Sequence, residues 1–307
     1  MWSREILKIK KKQMQVALWQ KIINKKDKFF LQNFVSVIFF FILILFPSII
    51  FAQYDDDKST KLFGFSFGTG AYWASKYVAA YYNGSENNEN KLSYVLDNSY
   101  WHEEIRQELN VGKFELYEHA MDMQYKVAMP INIRFFMNVG GESRIFVEFN
   151  RINLLAVGIF TLKTDSVTFT SEPALKVCNI WGGESRTMFD LGYRYGNPTD
   201  GPYNWFFEGG ISFVQTVAKE NRIKIGNFEQ SIMNRGSYIP GQPMYEPMRQ
   251  QGIGIGVFAN IGIEVLVTKA LTIDIGGQFR TQDINLGNYK DFNKAYGLFI
   301  KINFVAF

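Results

Sequence analysis

The chain has 307 residues, 47% hydrophobic, 20% charged and 17% aromatic, with 26 glycines, 8 prolines and a formal charge of +4. This balance excludes a disordered or low-complexity chain, and aromatic and Gly content with little Pro favours strands. One cysteine, Cys178, and two histidines, His102 and His119, exclude an internal disulfide and a Cys-cluster metal site and argue against a multi-His centre, so no metal or cofactor is expected.

Residues 1–52 carry 9 Lys and Arg against 2 acids, which leaves 24 bases and 27 acids, a net charge of −3, for 53–307. The basicity therefore belongs to the leader. No basic stripe remains to neutralise phosphates, and a nucleic-acid partner is not expected. The leader has the form of a secretory signal peptide: a basic region, an 18-residue apolar run from Phe34 to Phe51, and a cleavage point after Ala52. Its basic part is long, and Met14 is an alternative start. An uncleaved membrane helix is the competing reading, but Pro47 lies within the run, which is at the short end of the roughly 17–25 residues needed to span a bilayer. Residues 53–60 are then a short periplasmic tail, with Asp55, Asp56 and Asp57 solvated.

From residue 61 the apolar period is two. Phe63, Phe65, Phe67 and Trp73 share one parity. Ile131, Ile133, Phe135 and Met137 continue the pattern in 127–138, and Ile145, Val147 and Phe149 in 143–150, where alternation breaks near 151–153. Phe189, Leu191, Tyr193 and Tyr195 mark 186–196. Tyr203, Trp205, Phe207, Ile211 and Phe213 mark 203–218. Segments 252–268, 271–281 and 294–304 complete eight strands. Runs of 11 residues or more exceed the mean soluble strand of about 5–6 and match the roughly 9–11 needed to cross a bilayer at a tilt. Connections after strands 2, 4 and 6 are short (138–141, 196–201, 268–270), whereas those after strands 1, 3, 5 and 7 are longer. The expected fold is all-β: an eight-stranded, up-and-down antiparallel transmembrane barrel over 61–307, with long extracellular loops and a short helix in the first. Tyr193, Tyr195, Tyr203, Trp205 and Phe304 would form a periplasmic aromatic girdle.

The polar parity then faces inward. It carries Arg134, Arg144, Arg186, Arg194, Arg280 and Lys301 against Glu148, Asp190, Glu208, Glu264 and Asp274. Eight strands leave room only for side chains, so these residues are expected to form ion pairs that close the lumen. On this pattern, together with the leader ending FAQ and the last strand AYGLFIKINFVAF, the chain resembles the small outer-membrane β-barrel families of diderm bacteria. The resemblance implies outer-membrane lipid as surroundings. It does not select among adhesive, structural and lipid-modifying functions.

Gly64–Gly68 matches G-x-S-x-G but lies inside a strand rather than at a strand-to-helix turn, so Ser66 is read as a small inward residue. Gly252, Gly254 and Gly256 have strand period, and no Walker lysine follows. No catalytic residue is assigned. The alternative, a lipid A deacylase or acyltransferase, would use His102 or His119 in the first long loop, 74–126. That loop holds 9 acids and 5 bases, and 93–109 reads as a helix with Leu96, Tyr100, Ile105 and Leu109 on one face. The face would pack on the barrel mouth or bind a partner. The other long loop, 219–251, carries three prolines with Tyr238, Met244 and Tyr245. Tyr100, Trp101, His102, Tyr238, Met244 and Tyr245 are therefore the candidate contacts for a protein partner at the surface.

Overall fold

The computed structural model describes residues 62–140, 143–167, 173–197, 203–233, 250–268 and 270–305. The expected signal peptide, the tail at 53–60, Phe307 and the candidates Tyr238, Met244 and Tyr245 lie outside them.

Eleven strands are present among the described residues: β1 (Phe63–Trp73), β2 (Phe114–Glu118), β3 (Gln124–Tyr125), β4 (Ile131–Gly140), β5 (Ser143–Val167), β6 (Pro173–Asn197), β7 (Tyr203–Ile225), β8 (Phe228–Ser231), β9 (Gln251–Thr268), β10 (Leu271–Leu286) and β11 (Tyr289–Val305). Eight of them close a ring by antiparallel pairing in the order β1–β4–β5–β6–β7–β9–β10–β11, with β11 returning to β1. At the level where all eight strands pair, backbone groups find partners on both sides, which removes the sheet edge there. Between β1 and β2 lie the helices α1 (Lys76–Ala79), α2 (Ser93–Leu96) and α3 (Ser99–Leu109) and a 3-10 turn at Ala80–Tyr82.

Alternation orients the ring. Along β9, Ile253, Ile255, Val257, Ile261 and Ile263 are half or more exposed, while Phe258, Asn260 and Glu264 are buried. The exposed apolar positions of the neighbouring strands, among them Phe135, Phe149, Leu191, Phe213, Ile275 and Ile300, join them into an outer apolar belt. Tyr193, Tyr195, Tyr203, Trp205 and Phe304 are exposed at the end of the barrel with short connections.

Three expectations are corrected. First, β5 does not break at 151–153. It runs unbroken from Ser143 to Val167 and pairs in continuous register with β6 from Arg144–Arg194 to Lys163–Leu175. What changes there is polarity. Below this level the outward residues are Ile145, Val147 and Phe149 and the inward ones Arg144, Glu148 and Asn150. Above it the inward residues are Ile152, Leu154 and Ala156, and the outward ones are Arg151 and Asn153 followed by Leu155, Val157 and Ile159. The interior passes from charged to apolar, and the outer face becomes mixed.

Second, most of the described residues in the connections after strands 3, 5 and 7 are themselves strand. β6 starts at Pro173, β7 runs to Ile225 and folds back as β8, and β10 turns into β11 at Gly287–Asn288. β7 carries a bulge at Lys219, between the Gly183–Glu220 and Glu184–Ala218 pairs, so Asn221, Ile223 and Ile225 take over the buried face.

Third, the helix expected over 93–109 is two. Asn98 is extended and its side chain accepts from the Tyr100 amide at 2.9 Å, which starts α3 anew. The restart rotates Tyr100 away from the packed face. It is 75% exposed, while Leu96 and Ile105 are buried.

Candidate functional site: the charged lumen and its plug

The inward parity of the ring carries five cations and five carboxylates at the level of the apolar belt, and ion pairs join them across the barrel. Arg134 donates to Glu148 at 2.5 Å and, through both terminal nitrogens, to Glu208 at 2.5 and 2.8 Å. Lys301 reaches the same Glu148 at 2.6 Å. Arg144 and Arg194 share Glu264 at 2.7 and 3.1 Å, and Arg194 also binds Asp274 at 2.7 Å. Arg280 donates to both oxygens of Asp190, at 2.9 and 2.5 Å, and Asn150 adds a third bond there. The guanidinium groups of Arg134 and Arg194 lie 3.8 and 3.7 Å from the ring centres of Phe146 and Phe206. All ten charged side chains are under 10% exposed. A buried charge is tolerated only when paired and hydrogen-bonded, and two-point Arg–carboxylate contacts meet that demand.

Arg186 stands one level higher, and its partner is Glu184, at 2.6 Å. Glu184 was missed by sequence reasoning because its segment shows no alternation. The available signal was its spacing of two from Arg186, which puts both on one strand face. Glu184 also accepts from Tyr82 at 2.8 Å and Tyr125 at 2.7 Å. Both tyrosines come from the first long loop, so a wall carboxylate fastens the loop. Burial, reinforced by the Glu184 charge, pushes both phenols well above their ordinary range.

Above Glu184 the barrel is filled by that loop. Val78, Ala79, Tyr81, Tyr82, Leu92, Val95, Leu96, Ile105, Ala120 and Met123 pack in one cluster with Ile152, Leu154, Phe160, Ile180, Ile223, Ile225, Ile284 and Leu286 of the wall. Close approach is needed at Gly182, where a Cβ would strike the Tyr82 ring. Cys178 is 3% exposed in the cluster, and burial pushes its thiol up to about 11. The first loop is thus a plug; its outward-facing side remains open. Exposed on the loop are Tyr94 and Tyr100 with the acids Asp97, Glu103 and Glu104 in its helical part, and Tyr117, Glu118, Met121 and Asp122 on and just after β2, which pairs with β5.

Trp101 is half-buried and packs on Phe228. His102 stacks on Phe114 with ring centres 4.5 Å apart, and its Nδ1 lies 3.1 Å from the Leu96 carbonyl. It borders a pocket of about 140 Å³ with Glu86, Ser93 and Leu116. The Ser93 hydroxyl, ahead of Lys91, holds Glu86 below the usual carboxylate range. The Nδ1 of His119 is buried without a hydrogen-bond partner among the described residues. Ser66 is an inward residue of β1, 1% exposed. No group of three or more His, Cys, Asp or Glu among the described residues is arranged to hold a metal.

No family model and no curated protein matches the chain. Solved structures similar to it include the following three. Neisserial surface protein A matches at 11% identity and TM-score 0.38, over 81% of this chain and 99% of that one. Ail, the attachment invasion locus protein of Yersinia pestis, in complex with the heparin analogue sucrose octasulfate, matches at 9% identity and TM-score 0.31, over 78% and 99%. The N-terminal β-barrel domain of Pseudomonas aeruginosa OprF matches at 11% identity and TM-score 0.25, over 54% and 99%. The chain's own ring of eight antiparallel strands, apolar outside and ion-paired within, is the architecture of the small outer-membrane β-barrels.

Proposed function

We propose that the protein is a non-enzymatic outer-membrane barrel, exported by its N-terminal leader, with a closed lumen and a partner-binding or structural function exercised at its surface. The observation that carries this reading is the polarity of the ring. One set of strands presents an apolar belt outward and buried, paired charges inward, and a folded plug sits above the pairs. Such an outside is stable only against lipid, and such an inside leaves no continuous water path. The exposed face of the first loop, with Tyr94, Tyr100, Tyr117 and Met121 among acids, is the surface offered to a partner. Large apolar side chains are held there in water at a cost that a partner would relieve.

The test is isolation from native membranes. The protein should fractionate with the outer membrane, show heat-modifiable mobility, and co-purify with a partner that is lost when Tyr100 and Tyr117 are changed to Ser. Mass spectrometry of lipid A with and without the gene should show the same acylation. A changed acyl pattern would replace this reading with an enzyme, and a soluble periplasmic protein would end it.

A further inference from the structure

The wall has a notch on its outer side. β7 and β9 pair to the top, as far as Val217–Gln251, but β9 and β10 part above Gly256–Gln282. From there β10 leans inward. A Cβ at Gly254, on the lumen side of β9, would strike the Asp283 carbonyl. The β10–β11 tip closes over the plug, where the Asn288 amide donates to Glu89 at 2.9 Å and Ile284 and Leu286 are fully buried. The ladder is replaced there by a single side-chain bond, from Asn285 to the Ile253 carbonyl at 2.5 Å, and a groove of about 680 Å³ opens on the outer flank of β9.

The groove has two chemistries. Ile211, Ile255 and Val257 belong to the apolar belt and are 43%, 58% and 50% exposed, and Phe292 adds an exposed ring. The upper end is charged: Lys290 lies 3.8 Å from Asp283, with Asp291 beside it. Each carboxylate has local partners but no close ion pair. Asp283 takes a 3.3 Å bond from Asn285, and Asp291 takes the Phe292 amide at 2.8 Å and the Tyr289 hydroxyl at 3.4 Å.

We propose that this groove binds a phospholipid with a phosphoethanolamine head. The acyl chain lies along Ile211, Ile255 and Val257, the phosphate meets Lys290, and the ammonium meets Asp283 and Asp291. One cation with two carboxylates matches a zwitterion carrying its own ammonium; a bare anionic head would meet an excess of negative charge. The volume is in the range of sites for lipid- or drug-sized ligands, about 300–1,000 Å³.

This proposal rests on the reading of the barrel as membrane-spanning, and the experiment separates the two. The protein, in mild detergent and with folding checked by heat-modifiable mobility, is incubated with equal amounts of phosphatidylethanolamine, phosphatidylglycerol and bisphosphorylated lipid A, then examined by native mass spectrometry. One phosphatidylethanolamine per chain should be retained. Ile255→Trp, which fills the groove, and Lys290→Glu, which reverses the only cation lining it among the described residues, should each lower retention by about tenfold, the scale of one charge-assisted contact or its equivalent in packing. Ile300→Trp, in the belt but outside the groove, should leave retention unchanged. Equal retention of all three lipids, preference for an anionic lipid, or indifference to Ile255→Trp would each overturn the proposal. Absence of the mobility shift would overturn the membrane barrel itself.

Discussion

Each interior charge holds its place only because another does. Arg134 is the shared partner of Glu148 and Glu208, so its loss leaves Glu148 with Lys301 alone and Glu208 with only the Asn260 amide at 2.7 Å and Arg194 at 3.9 Å. Arg134→Leu is expected to cost about 3–5 kcal/mol, the scale for breaking a buried pair from one side. Urea unfolding in lipid vesicles measures it, and the double change Arg134→Leu, Glu208→Gln should recover part of the loss, because Glu148 keeps Lys301. The tyrosine latch has a pH signature. Tyr82 and Tyr125 have phenols raised in the folded protein, by burial first and Glu184 second. Their contribution is complete below the unfolded phenol value of about 10 and declines as pH rises past it, because only the unfolded chain then releases the protons. The plug should therefore become protease-sensitive above about pH 10, before the strand signal in circular dichroism falls. Tyr82→Phe with Tyr125→Phe should remove that step.

At the scale of the strand, position along the axis decides what an outward residue meets. Val147 and Asn153 face the same way on β5, one below and one above the polarity change. Val147→Arg is expected to destabilise by up to about 2–4 kcal/mol, the value for a cation on a lipid-facing site near the bilayer midplane. Asn153→Arg should lie within about 0.5 kcal/mol of the parent, as surface substitutions do. Equal effects at both positions would place the belt boundary elsewhere. The same change explains why alternation covers only part of β5 and β6. Alternation announces a strand only while its two faces differ, and above 151–153 both faces of β5 carry apolar residues, Ile152 and Leu154 inward and Leu155, Val157 and Ile159 outward. The eight strands crossing the belt were legible because lipid on one side and charge on the other impose a strict period of two. The extensions at 173–185, 219–225 and 282–293 were not legible, since their outer faces mix Leu175 and Val177 with Asn179, Lys219 and Arg222.

For the molecule as a whole, two barriers lie in series along the axis: the ion-paired layer and the plug. Planar-bilayer recordings should show absent or small conductance, and large, steady, ion-selective steps would mean that neither barrier closes the lumen. What the amino-acid order determined by itself was the set of belt strands, the inward parity and the list of charges on it. Each is local information, carried by neighbours two apart. Which charges meet was decided only by the closed ring, because Arg134 and Glu208 are 74 positions apart and Arg144 and Glu264 are 120 apart. Their contact depends on strand stagger and lumen width, quantities that exist only once the barrel closes. Tertiary structure likewise decided that the helical part of 74–126 turns inward while β2 and β3 join the wall at β5. The apolar residues of the helical part have no partner until the upper wall presents Ile152, Leu154, Ile223 and Ile284, and burial of both surfaces together draws it into the mouth.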